Sequence, residues 1–198
     1  DRGELLIAAR EHWEAQLTEM LDIIKDYHRR FPLRSGMPRE EVRSQSALSG
    51  VFFEKVLQAL ISEGKAVQQG PRLAASEHEI ELSKDQQKAR ERLLDVFHQQ
   101  PYTPPSRDDC LEIVGEELLD SLIEQGELIS LSEDVLFLAG TYQEMVQEVK
   151  DWLQEKETIT VAEARDHFQS SRRYMLAFLE NLDSRDITRR EGDSRRQR

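Results

Sequence analysis

The chain has 198 residues, and its 39 acidic against 27 basic side chains leave a formal net charge of -12. That acidity excludes broad, non-specific binding to nucleic acid, because most of the surface repels phosphate. No apolar run reaches the roughly 18–20 residues that span a bilayer, residues 1–20 lack the regions of a signal peptide, and the lone Cys110 excludes an internal disulfide and fits a reducing cytosol. A hydrophobic share of 38% beside 33% charged residues supports several small cores better than one large one. The chain opens on Asp1 rather than Met, as expected of a fragment or a processed product.

Leu5-Leu6-Ile7-Ala8 resembles the closing strands found later in the chain, so residues 1–8 are expected to end a truncated preceding repeat. Trp13, Leu17, Met20, Leu21, Ile24, Tyr27, His28 and Phe31 follow three-to-four spacing, the mark of a long helix with one buried stripe. Pro32 ends it, Pro38 opens a short second helix, and Ser49 or Gly50 opens a third. In the next stretch Leu93, Leu94, Val96 and Phe97 mark a first helix, and Pro101 to Pro105 make a stiff loop. Ser106-Arg107-Asp108-Asp109 then caps a short helix, and Gly115-Glu116-Glu117 begins a third. Met145, Val146, Val149, Trp152 and Leu153 open the last stretch; Thr160 to Glu163 form a capping box, and Ser170 or Ser171 caps the final helix.

These stretches are copies of one unit. Leu57 to Val67 aligns with Leu119 to Ile129 at an offset of 62 residues, and Leu179 to Ile187 is a weaker third copy. Each copy runs from helix to turn to strand, with Gly64 and Gly126 just past the helix, where a left-handed residue is wanted. Leu128 to Leu131 and Val135 to Leu138 fit a two-stranded hairpin. Three helices and a hairpin in about 60 residues is the winged-helix plan. The expected fold is mainly α with small β wings, a tandem array of three winged-helix domains over residues 9–77, 78–140 and 141–198.

Winged helices contact nucleic acid through the third helix and the wing. In the first repeat that helix carries Glu54 and Lys55 and is neutral; in the middle repeat Glu116, Glu117, Asp120 and Glu124 make it acidic, suited to a spacer. Only the last begins with cations, at Ser171-Arg172-Arg173-Tyr174, where free backbone N–H groups and the helix dipole also favour phosphate. Its wing carries Arg189, Arg190, Arg195 and Arg196 around a Gly192-Asp193 turn. From residue 170 onward eight arginines face five acids, so two distant segments converge on one basic surface. Taken singly, Arg172 and Arg173 also fit a solvated helix start, Tyr174 core packing, and the last residues a frayed basic end.

Thr188-Arg189-Arg190-Glu191-Gly192-Asp193-Ser194-Arg195 resembles the terminal wing of the bacterial selenocysteine-specific elongation factors. Ile159 to Glu163, Ser171 to Tyr174 and Leu179 to Asp183 are similar to the rest of that terminal domain, and Tyr27 to Pro38 to a signature of the family's second winged helix. The resemblance implies a GTPase body followed by four winged helices, of which this chain holds the last three and the end of the first. It implies that the last one grips an mRNA selenocysteine-insertion hairpin, so that UGA is recoded in the cytoplasm. Ribosome and selenocysteyl-tRNA are then contacted through the missing N-terminal part. Ser171, Arg172, Arg173 and Tyr174 would supply the helix side of the site, and Arg189, Arg190, Gly192, Asp193, Arg195 and Arg196 the wing. Gly192 would let the backbone approach a loop base, and Asp193 would accept a hydrogen bond from a base amine or, the favoured use, orient an arginine. An unpaired loop suits protein readout, since the A-form major groove excludes side chains. Two departures stand out: Arg185-Asp186 replaces the turn glycine before Ile187, and the last strand lacks an apolar anchor, so it is expected to order fully only on RNA.

No catalytic constellation is visible. Gly64-Lys65-Ala66 is not a P-loop, since Ala59 stands where its first glycine belongs and no Ser or Thr follows the lysine. The five histidines lack metal-ligand spacing, so neither enzyme activity, metal nor cofactor is expected, and the chain is expected to be monomeric. Cys110 reads as a small apolar filler and His28 as a packed histidine. The competing readings are a DNA-binding tandem winged-helix regulator, which needs cations on more than one third helix, and an acidic winged-helix protein-interaction scaffold. The acidic segment 77–81 is expected to flex.

Overall fold

A computed structural model describes residues 10–198; the expected tail of a preceding repeat over 1–8 lies outside the described residues. The chain divides into a unit ending at Leu82 and a unit from Ser83 to Arg198.

In the first unit, α1 (Arg10–Arg30) buries Leu17, Met20, Ile24, Tyr27 and His28 along one stripe. Phe31, expected on that stripe, falls past the helix end and is 41% exposed, its ring tilted against Tyr27 and under the Arg30 guanidinium. The chain continues through β1 (Met37–Pro38), α2 (Arg39–Ser46), α3 (Gly50–Ser62), β2 (Ala66–Gln69) and β3 (Arg72–Ala75). The antiparallel sheet has the order β1-β3-β2, pairing Met37 and Gln68 with Leu73. Gly36 explains part of the Tyr27 to Pro38 signature. A Cβ there would stand 2.8 Å from the Leu73 carbonyl oxygen, so only glycine lets the segment lie against β3. The segment 77–81, expected to flex, is tied at its start. Glu77 pairs with Lys25 at 2.5 Å, and the His78 ring stacks on His28 at 3.5 Å.

The second unit holds the other two repeats. α4 (Lys84–Gln99) starts at a capping box on Ser83, and α5 (Arg107–Glu124) at one on Ser106 and Asp109. Gly115 breaks α5 into two helices with φ 73° and ψ 168°, a conformation essentially reserved for glycine. The hairpin β4 (Leu128–Ser132) and β5 (Val135–Leu138) follows, and α6 (Ala139–Lys156) begins at the next residue. After β6 (Ile159–Thr160), the Thr160–Glu163 capping box opens α7 (Val161–His167), and α8 (Arg172–Ser184) leads to β7 (Thr188–Glu191) and β8 (Ser194–Gln197). The last sheet has the order β6-β8-β7. The strand expected to await RNA is therefore paired on both sides, with Ile159 and Arg190 opposite Arg195.

One helix stop recurs three times. Gly64, Gly126 and Asp186 all take positive φ, at 69°, 76° and 58°. In each copy the next amide donates back to the helix: Lys65 to Leu60, Glu127 to Leu122 and Ile187 to Leu182, all at 2.9–3.0 Å. This bond pattern requires a left-handed residue, which aspartate adopts more readily than most non-glycine residues. Asp186 thus performs the glycine's task.

The middle and last repeats share a core. Val135 and Phe137 from the middle wing lie in one cluster with Met145, Phe168, Met175 and Phe178, and Tyr102, Ile129 and Leu131 pack against it. Cys110 is fully buried, and desolvation pushes its thiol up to about 12, as befits a filler. Among the described residues no helix is long and apolar enough to cross a membrane, and no cluster of His, Cys, Asp or Glu could hold a metal ion.

Candidate nucleic-acid interface

The helix side of the basic surface starts at Ser171, the N-cap of α8, whose carbonyl accepts the Met175 amide at 3.1 Å. Its side chain makes no capping bond, and Arg172 on the first turn is exposed. The next two residues face the middle repeat. Arg173 donates to the Asp134 carbonyl at 3.1 Å and pairs with the same residue's carboxylate in the turn between β4 and β5. The Tyr174 hydroxyl donates to the Pro104 carbonyl at 2.9 Å, and its ring meets Phe137 edge-on. Tyr174 is thus a half-buried packing residue rather than a platform for a base. Ser170 donates to the Tyr102 carbonyl, completing a seam between the two repeats.

The wing divides its arginines between two faces, as the period of a strand demands. Opposite pairs are Arg189 with Arg196 and Arg190 with Arg195. On the outer face, Glu191 accepts from Arg189 at 2.5 Å and lies 3.3 Å from Arg196. The Arg189 hydrogen bond and the charge of Arg196 hold its carboxyl below the usual glutamate range. The acid that orients arginines here is Glu191 rather than Asp193, which is exposed at the turn beside Gly192 (φ 62°). On the other face, Arg190 remains exposed and donates to the Gly192 carbonyl at 3.0 Å.

Arg195 corrects the sequence reading. It was expected on the contact surface, yet it is 1% exposed. Its Nε donates to Asp183 at 2.8 Å, while the other oxygen of that carboxylate accepts from buried Thr188 at 2.6 Å. Its Nη2 is buried with no hydrogen-bond partner. Sheet register shows what it replaces. Arg195 lies opposite Ile159 as Leu73 lies opposite Met37, and Leu136 occupies the same place in the middle wing. Both leucines are fully buried. An arginine therefore fills the apolar anchor position of the last strand, which is why that strand forms without one. Alternation along β7 and β8 was the available signal, since it separates Arg195 from Arg189 and Arg196. Counting charge alone hid it.

The exposed cations of this surface are Arg172, Arg173, Arg189, Arg190 and Arg196, set on a helix start and a hairpin. Asp183 near the end of α8 ties the helix to both wing strands.

Comparison with known proteins gives this surface a family. Residues 21–74 and 151–197 match two winged-helix models, each described as "Elongation factor SelB, winged helix". The chain is 26% identical over 183 residues to a selenocysteine-specific elongation factor of Desulfomicrobium baculatum, covering 88% of this chain but 29% of that relative. The chain thus spans less than a third of the relative's length. Among solved structures, a bacterial selenocysteine-specific elongation factor shares the fold at 18% identity and a TM-score of 0.55, over 96% of this chain and 30% of that one. The mRNA-binding domain of elongation factor SelB from E. coli, solved in complex with SECIS RNA, aligns at 23% identity and a TM-score of 0.49, over 59% of this chain and 99% of that one. With one end of the chain and the other matched to separate winged helices of the same factor, this protein belongs to the elongation factor SelB family, as a stretch of its winged-helix region.

Proposed function

We propose that this chain is the RNA-binding arm of a selenocysteine-specific elongation factor, and that its last repeat recognises a looped mRNA selenocysteine-insertion hairpin. The carrying observation is the basic surface of the last repeat in a chain of net charge -12, made by the start of α8 and by β7 and β8. Arg172 and Arg173 on the helix, with Arg189, Arg190 and Arg196 on the wing, meet phosphates flanking the loop. Guanidinium forks bind such oxygens bidentately and stay charged at every working pH. Ser171 leaves helix N–H groups open to the same backbone, and Gly192 with Asp193 meets an unpaired loop base at the tip of the wing. Tyr174 supports the surface from behind.

The arm performs no catalysis and takes no cofactor. GTP hydrolysis and contact with ribosome and selenocysteyl-tRNA belong to the remainder of the factor, which acts as a monomer in the cytoplasm. The acidic third helix of the middle repeat makes that repeat a spacer and disfavours a DNA-binding regulator with several basic recognition helices.

A titration of the chain with a looped RNA hairpin and with duplex DNA, at two salt concentrations, tests this reading. The hairpin is expected to bind more tightly, with log K falling steeply as log[salt] rises. Equal affinity for both ligands would refute it. Arg189→Ala and Arg190→Ala are each expected to cost about 1–3 kcal/mol of hairpin affinity and to lower the salt slope by about one.

A further inference from the structure

We infer that Arg195, with Asp183 and Thr188, is a positioning residue for RNA recognition: a buried charged brace that fixes the wing against α8, retained at a site where the sister repeats bury leucine. The inference rests on the proposed RNA-binding role of the last repeat.

Three observations carry it. Leu73 and Leu136 hold the equivalent places, so the fold itself asks only for an apolar side chain there. Arg195 is equally buried, and its Nη2 goes without a partner. A charge and an unmet donor in that position cost desolvation energy that leucine avoids, and exchanging a buried ion pair for apolar packing is often neutral or stabilising. Stability therefore does not account for the arginine.

What it adds is direction. Asp183 is the last residue but one of α8 and accepts from Thr188, the first residue of β7, and from Arg195 in β8. One carboxylate thereby links the helix to both strands of the wing. An apolar contact has no preferred orientation, whereas two charge-assisted or hydroxyl hydrogen bonds to one carboxylate do. The brace sets the relation between the two sources of cations, Arg172 and Arg173 on the helix and Arg189, Arg190 and Arg196 on the wing. The first repeat, whose third helix and wing carry Val51 and Val67 in the places of Arg173 and Arg189, lacks those two cations and keeps leucine.

The test is Arg195→Leu in the whole chain, read by thermal unfolding and by hairpin titration at several salt concentrations. The expected result is an unchanged or higher Tm, roughly tenfold weaker hairpin binding, and an unchanged salt slope, because no phosphate contact is removed. Unaltered affinity overturns the inference. A slope lowered by about one also overturns it, since Arg195 would then be a phosphate ligand. If Arg195→Leu fails to fold, Asp183→Asn decides: it keeps the shape of the acceptor and removes its charge, so weaker hairpin binding supports the brace and wild-type binding refutes it. Wild-type chain that does not prefer the hairpin over duplex DNA removes the RNA-binding reading and this inference with it. Wild-type preference combined with intact binding by the variants removes this inference alone.

Discussion

At the scale of single residues, two positions in the first repeat show how narrow the tolerance is. Gly36 lies against the Leu73 carbonyl, and an added methyl at 2.8 Å has backbone on its far side rather than a yielding side chain. Gly36→Ala is expected to destabilise the first unit by about 1–3 kcal/mol, measured by urea unfolding, through displacement of β1 from β3. His28 is the other. Its Nε2 accepts the Ala75 amide at 3.3 Å, which puts the ring proton on Nδ1, and its face stacks on His78. Burial first, and the neighbouring His78 second, lower its pKa from 6.5 to about 4. The unfolded chain therefore binds a proton that the folded chain refuses between these values. Stability is full above about pH 6.5 and falls as the pH drops toward 4, flattening below it. Thermal unfolding of the first unit from pH 7 to pH 4 is expected to show this loss, and His28→Asn is expected to remove most of the slope.

At the scale of elements, the helices, their stops and the hairpins were legible because each depends on local chemistry. The capping boxes at Ser106 and Thr160 form as their spacing requires, and Gly115 separates two helices where the sequence places a helix start. Asp186 was flagged as a departure, and it takes the left-handed turn all the same. Other surroundings were hidden because they depend on neighbours far away in sequence. Arg173 and Tyr174 meet Asp134 and Pro104, some 39 and 70 residues distant. No periodicity within α8 reports such partners. Arg195 was misplaced because arginine is assumed to seek water, and only its position in the sheet shows that it replaces a leucine. Phe31 obeyed helical spacing but lay one residue too late to share the helix's buried face.

At the scale of the whole molecule, the joining of two of the expected repeats into one unit was not legible. The sequence reads as three equivalent modules, whereas the middle and last ones form a single unit from Ser83 to Arg198. The physical reason is the middle wing. Its Val135 and Phe137 pack into the last repeat's core, and the chain passes from Leu138 to α6 with no residue between. A fragment of residues 139–198 is expected to lose at least about 3 kcal/mol relative to residues 83–198, because Phe137 and Val135 no longer cover its core. Urea unfolding of the two fragments measures the difference, and equal midpoints would show the last repeat to be self-sufficient.

The missing linker at Leu138 and Ala139 also has a consequence in time. A nascent chain emerges N-terminal end first, at about 5–20 residues per second. The first repeat has its own complete core by Ala75 and can close as soon as it is free of the ribosome. The middle repeat cannot, since Ile129, Leu131, Val135 and Phe137 await residues as late as Met175 and Phe178. For several seconds of synthesis an unfinished wing stands open to solvent, until α8 is made and closes it.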